Sequence, residues 1–416
     1  MDAHIFYRET EFKDTEIGRV PKDWTVVRLG NYVDLMTGYP FRSQEFSPDM
    51  TCTKLVRGMN VTRGRLRWEE GITKYWKNIT KELEKYLVKK DDLLIGMDGA
   101  LVGKNYALVD ENDLPMLLVQ RVARLRAKNG LNKKYLFYFI GSNHFVRYVD
   151  KVNTSSGIAH ISSNQINDFR IPWAPVQEQQ EIAGILSTVD EAIQKTNEII
   201  VKTELLKTGL MQQFLTRGIG HKEFKYSDEL GFEIPNEWDV IALSKAFKLA
   251  SGKTRPSEIS EIPTQEMKFP VYGGNGIMGY TNDYLVDEDV IVIGRVGEYC
   301  GAVHKAPRCS WITDNALYTT KILHPRLDLD YLRYLLSKLN LNRLKNKTGQ
   351  PLMTQQIVYS VQIPLPSLSE QQKLARILST LDAKLQLERN EKAKLGKAKQ
   401  GLMDLLLTGK IRIRVD

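Results

Sequence analysis

Cysteine is scarce in this 416-residue chain: Cys52, Cys300 and Cys309 form an odd, widely spaced set with no C-x-x-C pair. They supply no disulfide framework and fit a reducing cytoplasm. Cys300, His304 and Cys309 lie close together in sequence, yet a fourth ligand at zinc spacing is missing, and isolated cysteines more often serve as packing groups. No apolar run approaches the roughly 18 residues that a membrane helix needs. The start, MDAHIFYRETEFKD, is charged throughout, so neither a membrane span nor a secretory leader is expected.

Catalytic strings are also lacking. No Asn-Pro-Pro-Tyr or Asp-Pro-Pro-Tyr string would seat a target amine for methylation, and neither H-E-x-x-H nor a nucleophile elbow occurs. Gly274-Asn275-Gly276-Ile277-Met278-Gly279 spells a dinucleotide fingerprint, but Tyr280-Thr281-Asn282-Asp283 and strand-like residues follow where a helix is required. Gly252-Lys253-Thr254 ends like a phosphate loop, but Phe247 stands where its opening glycine belongs. Carboxylates are plentiful and scattered. The chain is therefore read as non-catalytic, with no cofactor or metal of its own.

What is present is ordinary core-forming material: 42% hydrophobic and 26% charged residues, over a length that calls for two or more cores. Fifty-nine Lys and Arg against fifty Asp and Glu give a net charge of +9. An anionic partner is favoured by that excess but not decided by it.

The most informative feature is that the chain is written twice. Val20-Pro21-Lys22-Asp23-Trp24 leads into Val26, Val27 and Leu29, as Ile234-Pro235-Asn236-Glu237-Trp238 leads into Val240, Ile241 and Leu243; Gly38 and Gly252 follow. Gly96, Gly99 and Gly103 keep the spacing of Gly294, Gly297 and Gly301, which reads as a tight, strand-flanked turn. Tyr135-Leu136-Phe137-Tyr138 and Tyr331-Leu332-Arg333-Tyr334 read as short helices, each followed by a polar loop, Ser155-Ser156-Gly157 or Lys347-Thr348-Gly349. Last, Ile171-Pro172 precedes Glu178-Gln179-Gln180-Glu181-Ile182-Ala183, just as Ile363-Pro364 precedes Glu370-Gln371-Gln372-Lys373-Leu374-Ala375.

Each copy closes on a long helix. Ile185, Val189, Ala192, Thr196, Ile199, Thr203, Leu206 and Leu210 alternate steps of four and three, a heptad seam. Leu374, Leu378, Leu381, Leu385, Glu388, Lys392, Leu395, Lys399, Leu402 and Leu406 repeat it with charged interruptions. Pro175 and Pro366 mark the starts, and Gly218 and Gly409 the ends. A helix of about 35 to 40 residues, roughly 50 to 60 Å, cannot bury its stripe on one small core. The economical solution is an intramolecular antiparallel coiled coil; the alternative, each helix lying on its own domain, leaves much of each seam in water.

This arrangement, with paired P-x-x-W openings and E-Q-Q-x-x-A-x-I-L-S-T helix starts, resembles the specificity subunit of type I restriction-modification enzymes over nearly the whole chain. The resemblance implies an α+β fold: two similar globular α/β target recognition domains, at 1–175 and 221–367, joined by helical spacers at 176–220 and 368–416. The spacers would form the coiled coil, and the repeat implies pseudo-twofold symmetry. It also implies a cytoplasmic, non-enzymatic partner of double-stranded DNA, of two methyltransferase subunits and of restriction (translocase and nuclease) subunits. S-adenosylmethionine, ATP and Mg would belong to those partners. Because the copies differ outside their landmarks, the two half-sites should be unrelated, spaced by about one helical turn, roughly 34 to 36 Å. A protein-only coiled-coil scaffold is the competing reading.

Residue types suited to DNA contact follow the landmarks. In the first copy they are Tyr39 and Arg42 after Gly38; Arg57, Asn60, Arg63 and Arg65 in a basic stretch beside Trp68; and Ser155 and His160. In the second they are Lys253, Thr254 and Arg255; Tyr272 and Asn275; Arg295; and Lys347, Thr348 and Gln350. Arg matches guanine and Asn or Gln adenine with two hydrogen bonds each, and cations neutralise phosphates. A solvated surface hairpin would carry the same residues. Met97 stands where the second copy has Arg295, which puts a shared role there in doubt. For methyltransferase contact the candidates are Glu178, Gln179, Gln180, Glu370, Gln371 and Gln372, read as exposed first turns, although solvated helix capping reads the same way.

Overall fold

The structure, a computed structural model, describes residues 6–153, 159–344 and 352–414. It contains two compact units, residues 1–196 with 391–416, and residues 197–390. Each long helix contributes to both: Val176–Arg217 starts in the first unit and ends in the second, and Leu368–Leu406 does the reverse.

In the first unit a five-stranded sheet has the order Val33–Thr37, Val122–Ala127, Leu93–Gly96, Tyr106–Leu108, Arg63–Gly64. Leu93, Leu94 and Ile95 are all buried, as a continuous apolar run in a strand covered on both faces should be. A smaller sheet, Met116–Leu118, Thr53–Val56 and Lys74–Trp76, stands beside it. The helix Lys133–Ile140, N-capped by the Asn132 side chain, sets Tyr135, Leu136 and Phe139 into the main core.

The second unit repeats this order. Phe247–Ser251, Ala316–Ile322, Val290–Gly294 and Val303–Ala306 form its main sheet, and Gly276–Thr281, Phe269–Gly273 and Trp311–Ile312 its smaller one. Val290 to Ile293 supply the covered strand, and Leu329–Leu339 the packed helix. Even single hydrogen bonds recur. The fully buried Tyr135 hydroxyl donates to the Pro172 carbonyl at 3.1 Å, and that of Tyr331 to Pro364 at 3.2 Å.

Within each unit the two long helices are pinned by the same device. In the first, Asp190 accepts the Tyr138 hydroxyl at 2.8 Å and pairs with Lys399 at 2.6 Å. In the second, Asp382 accepts the Tyr334 hydroxyl at 2.7 Å and pairs with Lys207 and Arg333; Arg389 adds a contact to Glu204 at 2.6 Å. The seam of the second helix runs along the expected positions, with Leu385 and Leu406 buried. That of the first helix departs after Thr196 at two positions, where Ile199 and Leu206 are 39% and 53% exposed and Ile200 is buried instead of Ile199, while Thr203 is buried as expected. Lys207 takes the expected place of Leu206, because its long stem can cross the seam and still deliver the ammonium to Asp382.

Asp382 also carries a pH dependence. Burial pushes its pKa up, but the bonds from Lys207 and Tyr334 outweigh burial and hold it below the ordinary 3.8. A carboxylate with a depressed folded pKa contributes stability above its unfolded value and loses it as pH falls through the folded one. Asp382→Asn is therefore expected to destabilise the second unit at pH 7 and to flatten its acid-unfolding limb below about pH 4. Urea midpoints measured from pH 7 to pH 2 check this; a variant limb as steep as the parent's would assign the acid sensitivity elsewhere.

Candidate nucleic-acid interface

In both units the main sheet ends at a corner where three loops meet, and the hydrogen bonds match one for one. In the first unit Gly38 N–H donates to Val122, Gln120 N–H to Tyr39, Met97 N–H to Arg121, and Ile161 N–H to Met97. In the second Gly252 N–H donates to Ala316, Asp314 N–H to Lys253, Arg295 N–H to Asn315, and Met353 N–H to Arg295. A Cβ at Gly38 would strike the Val119 backbone, and one at Gly252 the backbone of Ile312 and Thr313. Glycine is needed there for close passage of two chains. Gly99 and Gly297, with φ of 95° and 75°, make the turn itself.

Several expected residues do reach this corner. Tyr39 follows Gly38 and stands half-buried against Phe41 and Tyr86, and His160 engages Asp98 through Nδ1. Lys253, Thr254 and Arg255 are exposed beside Gly252. Arg295 donates from Nη1 to Ser251 at 3.3 Å, with its Nε buried and unpartnered, whereas Met97 at the matching place is buried. Arg42 is exposed, beside Glu45. Ser155, Lys347, Thr348 and Gln350 lie outside the described residues. Two corner residues escaped the sequence reading: Arg121, with φ of 72° and an ion pair to Asp98, and its counterpart Asn315, which is exposed. Each is the second residue of a turn that leads into a strand, with no shared motif around it, so only the fold singles them out.

Other expected contacts are corrected. Asn60 is fully buried: its carboxamide accepts the Arg57 N–H at 3.0 Å and donates to the Arg67 carbonyl at 3.1 Å, so it builds a turn. Arg57 is half-buried, donates to the Ile72 carbonyl and lies over Phe46; burial lowers its pKa. Tyr272 is 7% exposed, its hydroxyl donates to the Lys305 carbonyl, and burial raises its pKa. Arg63 and Arg65 stay exposed and remain candidates: the Arg63–Gly64 strand is the sheet edge opposite Val33–Thr37, with Arg63 in the same cross-strand row as Ile95 and Thr37. Asn275 is exposed in the hairpin turn that the glycine string forms, beside an open cavity of 580 Å³ lined also by His304, Lys305 and Arg333. Among the described residues no group of three His, Cys, Asp or Glu could hold a metal ion.

The helix starts need the largest correction. Glu178, Gln179 and Gln371 are 2%, 0% and 0% exposed, and the Glu370 carboxylate is mostly covered, so these are not exposed first turns. They are joints. Glu178 accepts the Trp24 indole N–H at 3.1 Å and two bonds from Arg412, at 2.7 and 2.9 Å; Arg412 also reaches Asp23 and Glu9. Burial works against the Arg412 charge, but its bonds to Glu178 and Asp23 prevail and raise its pKa. Glu370 likewise accepts from Trp238 at 3.0 Å and faces His221 at 2.9 Å, whose other ring nitrogen faces Glu237 at 3.0 Å. Gln179 ties Ala174 to Asn132, and Gln371 ties Pro366 to Asp328. Gln180 and Gln372 alone of the six remain exposed.

A family model described as the type I restriction modification DNA specificity domain matches residues 21–204 and again 235–397. The chain belongs to that family and carries two copies of its domain. It is 28% identical to the type I restriction enzyme MjaVIII specificity subunit of Methanocaldococcus jannaschii, with 98% of each chain covered. Its fold is similar to the type I restriction-modification S subunit from M. genitalium, with a TM-score of 0.64 at 19% identity, covering 92% of this chain and 96% of that one. A chain solved in work on complex assembly and conformational transition of the type I R-M system gives 0.54 at 18% identity, covering 94% and 99%.

Proposed function

We propose that this chain is the DNA-reading, non-catalytic specificity subunit of a type I restriction-modification complex, working in the cytoplasm. Recognition domains at 1–175 and 221–367 each read one half of an asymmetric, two-part duplex site. The spacers at 176–220 and 368–416 pair as antiparallel rods and relate the two domains by a pseudo-twofold. One observation carries this reading: the same backbone corner is built twice and dressed with different polar side chains, exposed Arg121 beside half-buried Tyr39 and His160 in one copy, exposed Lys253, Thr254, Arg255 and Asn315 in the other. A shared scaffold with unlike heads suits two unlike half-sites.

The rods would dock two methyltransferase subunits, which supply S-adenosylmethionine chemistry, and the restriction subunits, which use ATP and Mg. Gln180 and Gln372 remain candidates for that contact. Val201 and Leu205, four residues apart on one helix face, are exposed, as is Leu387 on the other helix, which supports a protein-covered outer surface. With a methyltransferase partner present, specific duplex affinity is expected to fall with salt at a log-log slope of about 0.9 per phosphate neutralised. Binding that ignores salt, or no duplex binding at all, would replace this reading with a protein-only scaffold.

A further inference from the structure

We infer that the paired corner positions 121 and 315 set the bases read: Arg121 takes a guanine in one half-site and Asn315 an adenine in the other. This rests on the DNA-reading assignment above. The two positions are equivalent by hydrogen bonding, not by sequence likeness or by φ, which is positive at Arg121 alone of the two: each carbonyl accepts the N–H that follows the central strand, Met97 or Arg295, at 2.9 Å.

Arg121 has the marks of a residue held for a purpose. It is one of few non-glycine residues with positive φ, a conformation that costs free energy and that a long side chain rarely adopts. Its side chain is 62% exposed, yet Nε is anchored to Asp98 Oδ2 at 3.2 Å. The other Asp98 oxygen is engaged by His160, which fixes the carboxylate in turn. With Nε engaged, Nη1 and Nη2 remain to donate side by side, the geometry that matches guanine O6 and N7.

The second unit lacks this buttress. Val296 and Leu352 form the bridge that Asp98 and His160 form in the first. With Val296 in the place of Asp98, a guanidinium at 315 would lack the carboxylate that holds Arg121, whereas an amide needs no counter-ion. Asn315, exposed at the same corner, offers one donor and one acceptor, the pattern of the adenine edge. The difference between the two reading heads is thus built into what stands behind each reader.

The test is sequencing of methylated sites produced by the complete methyltransferase complex carrying Arg121→Lys, Arg121→Asn or Asn315→Ala. Arg121→Lys keeps the charge and removes the two-point fork. Arg121→Asn tolerates the left-handed backbone, so it guards against loss of folding. Both are expected to relax discrimination about tenfold or more at one guanine of one half-site, leaving the other half-site and the spacer unchanged. Asn315→Ala should relax one adenine of the other half-site. An unchanged motif with uniformly weaker binding would make both residues phosphate contacts and overturn the inference while leaving DNA reading intact. Salt-insensitive binding by the parent complex would instead remove the reading on which the inference stands.

Discussion

Glu178→Ala is expected to cost the first unit about 3–5 kcal/mol, the scale on which removing one member of a buried ion pair destabilises a protein. The side chains of Glu178 and Arg412 are 3% and 7% exposed, so the guanidinium cannot turn to water when its partner goes. It would keep Asp23 and Glu9 on one side, while its Nε and the Trp24 indole N–H both lose their acceptor. Glu370→Ala in the second unit is expected to cost less, about 1–3 kcal/mol. The partner there is the imidazole of His221 in place of a guanidinium, so no permanently charged group is left buried without its acceptor. Because a chain of two units need not unfold in one step, hydrogen exchange of peptides from each unit in urea is the measurement to use. Equal losses in the two units would mean that Asp23 and Glu9 hold Arg412 without help from the helix.

The duplicated landmarks were legible in sequence because each answers to one strong local rule. Three glycines at fixed spacing demand a turn, Pro175 and Pro366 mark where helices begin, and buried runs such as Leu93-Leu94-Ile95 demand covered strands. Residues whose role depends on distant partners were not legible. Glu178 and Gln179 look like ordinary first-turn residues until Trp24 and Asn132, 154 and 47 positions away, arrive to cover them. Asn60 looks like a base reader, and a local turn consumes it. The seam's departure at Ile200 has the same origin, since stepping by three or four is permitted from Thr196 and only Asp382 decides. Arg121 and Asn315 stand on strand-flanking residues with no shared motif, so their equivalence exists only in the hydrogen bonds of the corner.

Those corners also give the sharpest separation between scaffold and reading surface. Gly252→Ala is expected to cost the second unit about 3 kcal/mol, at the upper end of the overpacking range. The added methyl meets the backbone of Ile312 and Thr313, which is pinned on both sides by the bonds from Lys253 and Thr313 N–H and cannot yield as a side chain could. Lys253, Thr254 and Arg255 follow directly, so the same distortion moves the exposed groups proposed to face DNA. Recognition of one half-site should therefore fail together with the stability of that unit, and methylation of the whole two-part site should fall at least about tenfold, since each lost base-pair contact costs about 1–3 kcal/mol. Gly184→Ala is the control: it lies in the first long helix with nothing within 4 Å of its added Cβ, and is expected to stabilise that helix by about 1 kcal/mol. Urea unfolding and site-specific methylation of the two variants, measured side by side, check both expectations. Full methylation by Gly252→Ala, despite the lost stability, would place the reading surface of the second unit somewhere other than this corner.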